Sequence, residues 1–153
     1  DQWWLMMIRE ARHDDIPALL ALAKEMHAES PRYSLLRFSA DKVAGLFRRL
    51  IDSPDGLLLV ADSGGEIAGA IAAMVTPHWF SDDLVSTDIG LFMLPRHRGG
   101  MTAVRLMRGY IEWAKFKGAL QIQAGISTGV QVEEAAALYR RMGLKQFSIG
   151  FEV

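Results

Sequence analysis

The spacing of apolar positions changes twice along this chain, and each change marks a new set of elements. Met7-Ile8-Arg9-Glu10-Ala11 reads as a short extended segment bounded by the polar cluster His13-Asp14-Asp15. That cluster opens a helix. Asp14 or Asp15 is expected to accept from the free amides of the first turn, where Pro17 is tolerated because its missing donor costs nothing. Ile16, Leu19, Leu20, Ala23 and Met26 then recur at steps of three and four, one apolar stripe that ends at Ser30-Pro31. A second helix runs from a Ser39 cap through Val43, Leu46, Phe47 and Leu50 to the turn Ser53-Pro54-Asp55-Gly56.

In the middle of the chain the helical period disappears. Leu57 to Ala61 is a continuous apolar run, Ser63-Gly64-Gly65 a hairpin turn, and Ile67 to Val75 a second run, so both read as strands buried on two faces. A polar and aromatic loop, Pro77 to Asp83, leads to a third central strand, Thr87 to Leu94, stopped by Pro95. The helical period returns in Ala103, Leu106, Met107, Tyr110, Ile111 and Ala114, with Gly118 at the left-handed C-terminal position. Ala119 to Ser127 is expected as another strand. A last helix covers Val132 to Met142, with Glu133 and Glu134 in its first turn, Arg140 and Arg141 in its last, and Gly143 after it. Leu144 to Val153 is expected to close the chain as one strand or a bent pair. The order predicts an α/β domain, a mixed sheet with helices on its faces.

At 153 residues the chain makes one domain, residues 1–153, long enough to bury a core without disulfide or metal staples. It has no cysteine, which removes zinc-thiolate sites and thiol nucleophiles. Seventeen basic and 18 acidic side chains leave a net charge of −1, which speaks against nucleic acid or an anionic membrane as partner. No apolar run approaches the roughly 20 residues of a membrane span. Residues 1–6 lack an initiator methionine and a basic flank, so they are expected to be disordered or foreign to a natural start at Met6 or Met7.

The chemistry concentrates between Phe92 and Ala103. A strand runs into Arg98-Gly99-Gly100 and a helix begins at once; unobstructed amides at a helix N-terminus form an anion site. Arg96, His97 and Arg98 place up to three cationic groups beside it, which suits a diphosphate. The plainer alternative is a tight turn with solvated arginines. No Gly-Lys-Ser/Thr follows, and Gly-x-Gly-x-x-Gly is absent, so neither a Walker loop nor a dinucleotide fingerprint is present.

Pro95-Arg96-His97-Arg98-Gly99-Gly100-Met101-Thr102-Ala103 followed by Leu106 resembles the acetyl-coenzyme A loop of the GNAT family of N-acetyltransferases. The resemblance spans nearly the whole chain. The helix opening near residue 15, the turn at Ser63-Gly64-Gly65, the Trp113-Ala114…Gly118-Ala119 junction and Leu138-Tyr139-Arg140-Arg141-Met142-Gly143-Leu144 fall in the family's order. His27 to Tyr33 and Trp79-Phe80 look closest to bacteriophage and prophage members. The resemblance implies a GNAT-like fold whose central, mostly antiparallel sheet splays between the strands ending near Leu94 and Ser127. It implies acetyl-coenzyme A as co-substrate, no metal, a cytoplasmic protein of a bacterial or phage-infected cell, and a homodimer edged by the final strand.

Residue by residue, the resemblance assigns the cofactor to Arg98, Gly99, Gly100, Met101, Thr102 and Ala103, to Phe92, Met93 and Leu94 as a strand for the pantetheine arm, and to Ser127. The family's loop is Gln/Arg-x-x-Gly-x-Gly/Ala, and Met101 stands where its middle glycine would be; a shifted loop or a weaker site is expected. Tyr139 matches the tyrosine that faces the coenzyme sulfur and becomes the candidate general acid; from its neighbours alone it would read as core packing. Asp88, an acid in an apolar strand, is the candidate base or else an exposed strand start. Glu29, His27 and His78 are alternative bases, and with Tyr33, Trp79 and Phe80 they form the expected acceptor pocket. The implied reaction is direct attack of a primary amine, from a small molecule or a protein, on the thioester, without an acyl-enzyme. The alternative is a coenzyme A-binding module of the same fold with little or no activity.

Overall fold

Two central strands buried on both faces set the architecture, their side chains turning alternately to two cores. In the computed structural model, which describes residues 6–153, the elements are β1 (Met6–Glu10), α1 (Ile16–Glu29), α2 (Ala40–Asp52), β2 (Gly56–Ser63), β3 (Glu66–Pro77), β4 (Leu84–Met93), α3 (Thr102–Phe116), β5 (Gln121–Gln123) and α4 (Val132–Arg141). Leu58 and Val60 of β2, with Ala70 and Ala72 of β3, face α1 and α2, where Leu19, Leu22, Phe47 and Leu50 close one core. Leu57, Leu59 and Ala61, with Ile71 and Ala73, face α3, where Leu106, Met107, Tyr110 and Ala114 close a second. Among the described residues the sheet has five strands in the order β1-β2-β3-β4-β5. The first four are antiparallel and β5 joins β4 in parallel. This is the mixed sheet that the element order predicts, and it is mostly antiparallel as the resemblance implies.

The β2–β3 hairpin turns on Gly64 (φ +58°) and Gly65 (φ +99°), the left-handed pair that matches strand twist. Gly69 is fixed by close approach: a Cβ there would lie 2.8 Å from the Phe92 carbonyl oxygen and run into the Met93 sulfur. The Ser39 hydroxyl caps α2 by accepting from the Lys42 amide. Three expectations need correction. Residues 1–5 lie outside the described residues, but Met6 pairs with Ser63 and is buried, so it belongs to the folded sheet. The strand expected over Ala119 to Ser127 is reduced to Gln121–Gln123, because its neighbour β4 diverges from it. Leu144 to Val153 forms no strand: the edge it would extend ends at Gln123, and Phe147, Ile149 and Phe151 are exposed.

The helix opening also differs. Asp15 does not cap α1. Its carboxylate turns back to accept from Arg9 at 2.8 and 2.9 Å and from the Arg12 amide at 2.7 Å. Arg9 also reaches Asp62 of β2 at 3.1 Å, so one guanidinium ties β1, the helix entrance and the central hairpin. Its hydrogen bond and charge hold the Asp15 carboxyl down at about 2 against its own partial burial. A depressed carboxyl contributes stability that is complete above its unfolded value, near 4, and disappears as pH falls toward 2. Asp15→Asn should therefore cost about 2 kcal/mol at neutral pH, by the loss of a charge-assisted pair. Urea titrations should show that cost shrinking between pH 4 and pH 2; a cost independent of pH would mean that packing, not charge, is what the residue supplies.

Candidate functional site

Strands β4 and β5 run together for three residue pairs only, Val85–Gln121, Ser86–Ile122 and Thr87–Gln123, and then part. The parting point is fixed from below and across. From below, Tyr110 of α3, fully buried, donates its hydroxyl to the Gln123 carbonyl at 2.6 Å and lies 3.0 Å from the buried Ser86 hydroxyl. Across the gap, the Asp88 carboxylate accepts from the Gly125 amide at 2.9 Å, a side chain standing in for the next rung of the ladder. The register of β4 against β3 shifts at the same place, Gly90 facing Ala72 and Asp88 facing Ala73, so Ile89 is an extra, bulged residue. Bulge and divergence together open a wedge, a cavity of about 490 Å³.

The cavity brings together much of what the sequence singled out. Asp88, Phe92, Met93, Arg98, Gly99, Gly100, Ala103, Ser127, Tyr33 and Tyr139 all line it. Leu94 instead is buried in the α1/α2 core, Thr102 is buried at the start of α3, and neither the exposed Met101 side chain nor Glu29, which pairs with Arg98, lines the cavity. His27 lies away from the cavity lining, bonded to the Leu36 carbonyl and packed edge-on to Phe38. His78, Trp79 and Phe80 sit in the β3–β4 connection, at the end of β4 away from the glycines. There they pack on one another, the His78 and Phe80 rings 4.1 Å apart, and do not line the cavity. The order of elements carried that signal: the connection precedes β4 and the Gly99 turn follows it, so the two lie at opposite ends of one strand.

At the glycine end, the left-handed turn is made by Gly99 at φ +91°. Met101 has φ −89° and ψ −2°, a backbone any residue adopts, so methionine in place of the family glycine strains nothing. The first bond of α3 runs from the Arg105 amide to the Met101 carbonyl, which leaves the preceding amides for a ligand. The three cations are not free beside them. Arg96 and His97 both pair with Glu66 of β3. Arg98 is held by Glu29 through two bonds, at 2.6 and 2.8 Å, and gives its Nε hydrogen to the Met93 carbonyl at 2.9 Å. Neither Glu66 nor this pairing was legible in the sequence, because partners 30 and 69 residues apart carry no local spacing signal.

Two groups have shifted acidities. Burial raises the Asp88 carboxyl, the Gly125 and Asp88 backbone hydrogen bonds opposing it. Burial, then the nearby Asp88 charge, pushes the Tyr139 phenol well above its ordinary value near 10. Asp88 and Tyr139 line the same cavity. The roof over the wedge comes from the α1–α2 connection: the buried Ser30 hydroxyl donates to the Thr128 carbonyl at 2.6 Å, and the Tyr33 hydroxyl bonds Ser127 Oγ.

A sheet parted beside a glycine-turned helix N-terminus is the architecture of a known acyltransferase class. The acetyltransferase (GNAT) family model matches residues 16–144, and the chain belongs to that family. No curated protein matches by sequence. Among solved structures, aminoglycoside N-acetyltransferase AAC(6')-Iy in complex with CoA is similar, with TM-score 0.78 and 16% identity over 97% of this chain and 93% of the other. So is a putative acetyltransferase from Agrobacterium tumefaciens str. C58, TM-score 0.76 and 18% identity over 96% and 98%. Glucosamine-6-phosphate N-acetyltransferase from Arabidopsis thaliana gives TM-score 0.74 and 15% identity over 97% of each chain.

A carboxyl whose folded value is raised binds more protons in the native state between the unfolded and folded values, so stability falls as pH rises through that window. Asp88→Asn, which keeps an oxygen for the Gly125 amide, should therefore raise Tm at neutral pH and leave it unchanged below about pH 3.5. A lower Tm at neutral pH would show that the ionised carboxylate stabilises the wedge.

Proposed function

We propose that this chain is an N-acetyltransferase that moves an acetyl group from acetyl-coenzyme A to a primary amine. The observation that carries the reading is the single cavity wall shared by the open amides of the Gly99 turn, the unladdered side of β4, Asp88 and Tyr139. The diphosphate fits the amides after Gly99, where glycine leaves no side chain in the way. The pantetheine arm fits the wedge, because beyond Thr87 the β5-facing groups of β4 need a partner that β5 does not supply. The thioester then reaches the parting point, between Asp88 and Tyr139. Fold likeness to aminoglycoside and glucosamine-6-phosphate enzymes makes a small, polar amine the favoured acceptor class. The expected homodimer would use the exposed apolar side chains Phe147, Ile149 and Phe151.

The reaction balances without an acyl-enzyme. The amine nitrogen adds to the thioester carbonyl carbon, its proton passes to the Asp88 carboxylate directly or through a water, and the carbon–sulfur bond breaks to release coenzyme A as a thiolate, which takes up that proton from Asp88 through solvent and leaves the amide and a free thiol. Asp88 suits this role because burial moves its carboxyl toward neutral pH, where a base is most effective. Tyr139 stays protonated at any working pH. A phenol above 10 is a weaker acid than a thiol near 8.5, so its contribution is a hydrogen bond that strengthens as charge builds on sulfur.

Acetyl-coenzyme A at a hundredfold excess over its Kd should stabilise the fold by about 2.7 kcal/mol, read as a rise in Tm, while ATP and NAD do not. No shift at millimolar ligand would remove both the enzyme and the binding module. Tyr139→Phe should lower turnover on the order of a hundredfold with coenzyme A affinity unchanged. The control is Tyr110→Phe, which should instead cost about 1–3 kcal/mol of stability through the unpaired Gln123 carbonyl. Near-normal turnover in the Tyr139 variant would pass the sulfur's hydrogen bond to another donor; a Tm shift without coenzyme A release on any amine would mark the protein as a binding module.

A further inference from the structure

Arg98 stands immediately before the Gly99 turn, yet its side chain is already spoken for. Its two outer nitrogens are filled by the Glu29 carboxylate at 2.6 and 2.8 Å, and its Nε by the Met93 carbonyl. The guanidinium also lies 5.1 Å from the centre of the Phe92 ring. The two anchors differ in kind. The Met93 carbonyl and Phe92 belong to β4, next to Arg98 in the chain, and hold the guanidinium at the glycine end of the cavity. Glu29 comes from the last residue of α1, 69 positions away, and its side chain is partly open to solvent. A carboxylate and a phosphate make the same demand on a guanidinium fork, two acceptor oxygens in its plane.

On the reading that the diphosphate of acetyl-coenzyme A binds the Gly99 turn, we propose that Arg98 is an exchange contact. Glu29 occupies it in the free protein, the diphosphate takes it over, and the released Glu29 carboxylate then receives the cationic acceptor amine. Glu29 is placed for that second task. It is not itself a lining residue, but it lies in the chain between Met26 and Tyr33, which both line the cavity, and its present partner Arg98 lines it too, so a released carboxylate stands at the rim. While Arg98 neutralises it, it has little attraction for an ammonium group. Donor binding uncovers the charge, so the acceptor follows the donor, and acceptors carrying positive charge near the reacting amine are selected. The exchange costs little, since a partly exposed ion pair contributes weakly to the fold.

Titration calorimetry with coenzyme A and with pantetheine, which lacks the phosphates, tests the exchange. Glu29→Gln should bind coenzyme A about fivefold more tightly than wild type, the size expected for removing a competing exposed pair, and pantetheine equally well. Asp82→Asn, an equal charge change in the β3–β4 connection, should alter neither. In an Arg98→Ala background the Glu29 substitution should have no effect. Glu29→Asp, whose shorter reach also breaks the two-bond pair, should tighten binding as well and serves if the Gln variant fails to fold. With any amine on which the wild type turns over, Glu29→Gln should raise KM about tenfold or more, the loss falling on kcat/KM. Unchanged or weaker coenzyme A binding in both Glu29 variants overturns the exchange while leaving the proposed function standing. A wild type that binds neither ligand takes down both.

Discussion

Everything at the site depends on two parallel strands that stop pairing. A parallel ladder once begun adds hydrogen bonds at every step, so its abandonment after three pairs needs a cause and a substitute. The cause is on the β3 side, where Ile89 is inserted into β4 and turns the strand away from β5. The substitute is small: one carboxylate, Asp88, takes one stray amide, Gly125. Tyr110 then pins the last paired row from the α3 side, so the wedge has a sharp apex and not a frayed one. A group that compensates for missing backbone partners sits by that fact at the bottom of the opening, which is where chemistry is best served. Burial there raises its carboxyl above the ordinary carboxylate value, and the bond from the Gly125 amide opposes that rise.

The charges around the Gly99 turn show a second economy. Read as types, Arg96, His97 and Arg98 form a cationic funnel. In the fold they are matched to Glu66 and Glu29, and the anion site at rest is made of amides alone. Matching keeps the two arginine charges from repelling one another and holds the loop to β3 and α1 at the same time. It also means that the loop's affinity for an anion is a difference between partners, not an absolute attraction.

The fold was largely legible because its signals are local. Apolar stripes marked α1, α2 and α3, the Ser39 cap and the Gly64-Gly65 turn were where composition put them, and the Arg98-Gly99-Gly100 run announced a strand-to-helix passage with an open N-terminus. What escaped were relations between distant positions. Asp15 had the composition of a cap but found a better partner in Arg9, two bonds from a cation outweighing one from a helix amide. The period-two pattern of Phe147, Ile149 and Phe151 reads as a strand, yet a strand exists only beside an edge that will pair with it. At the site, Asp88 and Tyr139 were named from residue type and resemblance; that they share one cavity with the Gly99 turn depends on a bulge, and a single inserted residue leaves no trace in hydropathy.

The two cores touch one sheet from opposite sides and share none of its side chains. Leu58 and Val60 answer to α1 and α2, while Leu57, Leu59 and Ala61 answer to α3. The sheet is therefore a partition as much as a core. Loosening on one side changes the footing of α1, which carries Glu29, without repacking α3, which carries the Gly99 turn at its head. The α1 and α3 sides of the cavity are packed separately on the same wall and joined across it by the Arg98–Glu29 pair, and on the proposed reading sequence drift that reshapes the α1 side for a new acceptor can proceed while the α3 side keeps its cofactor site.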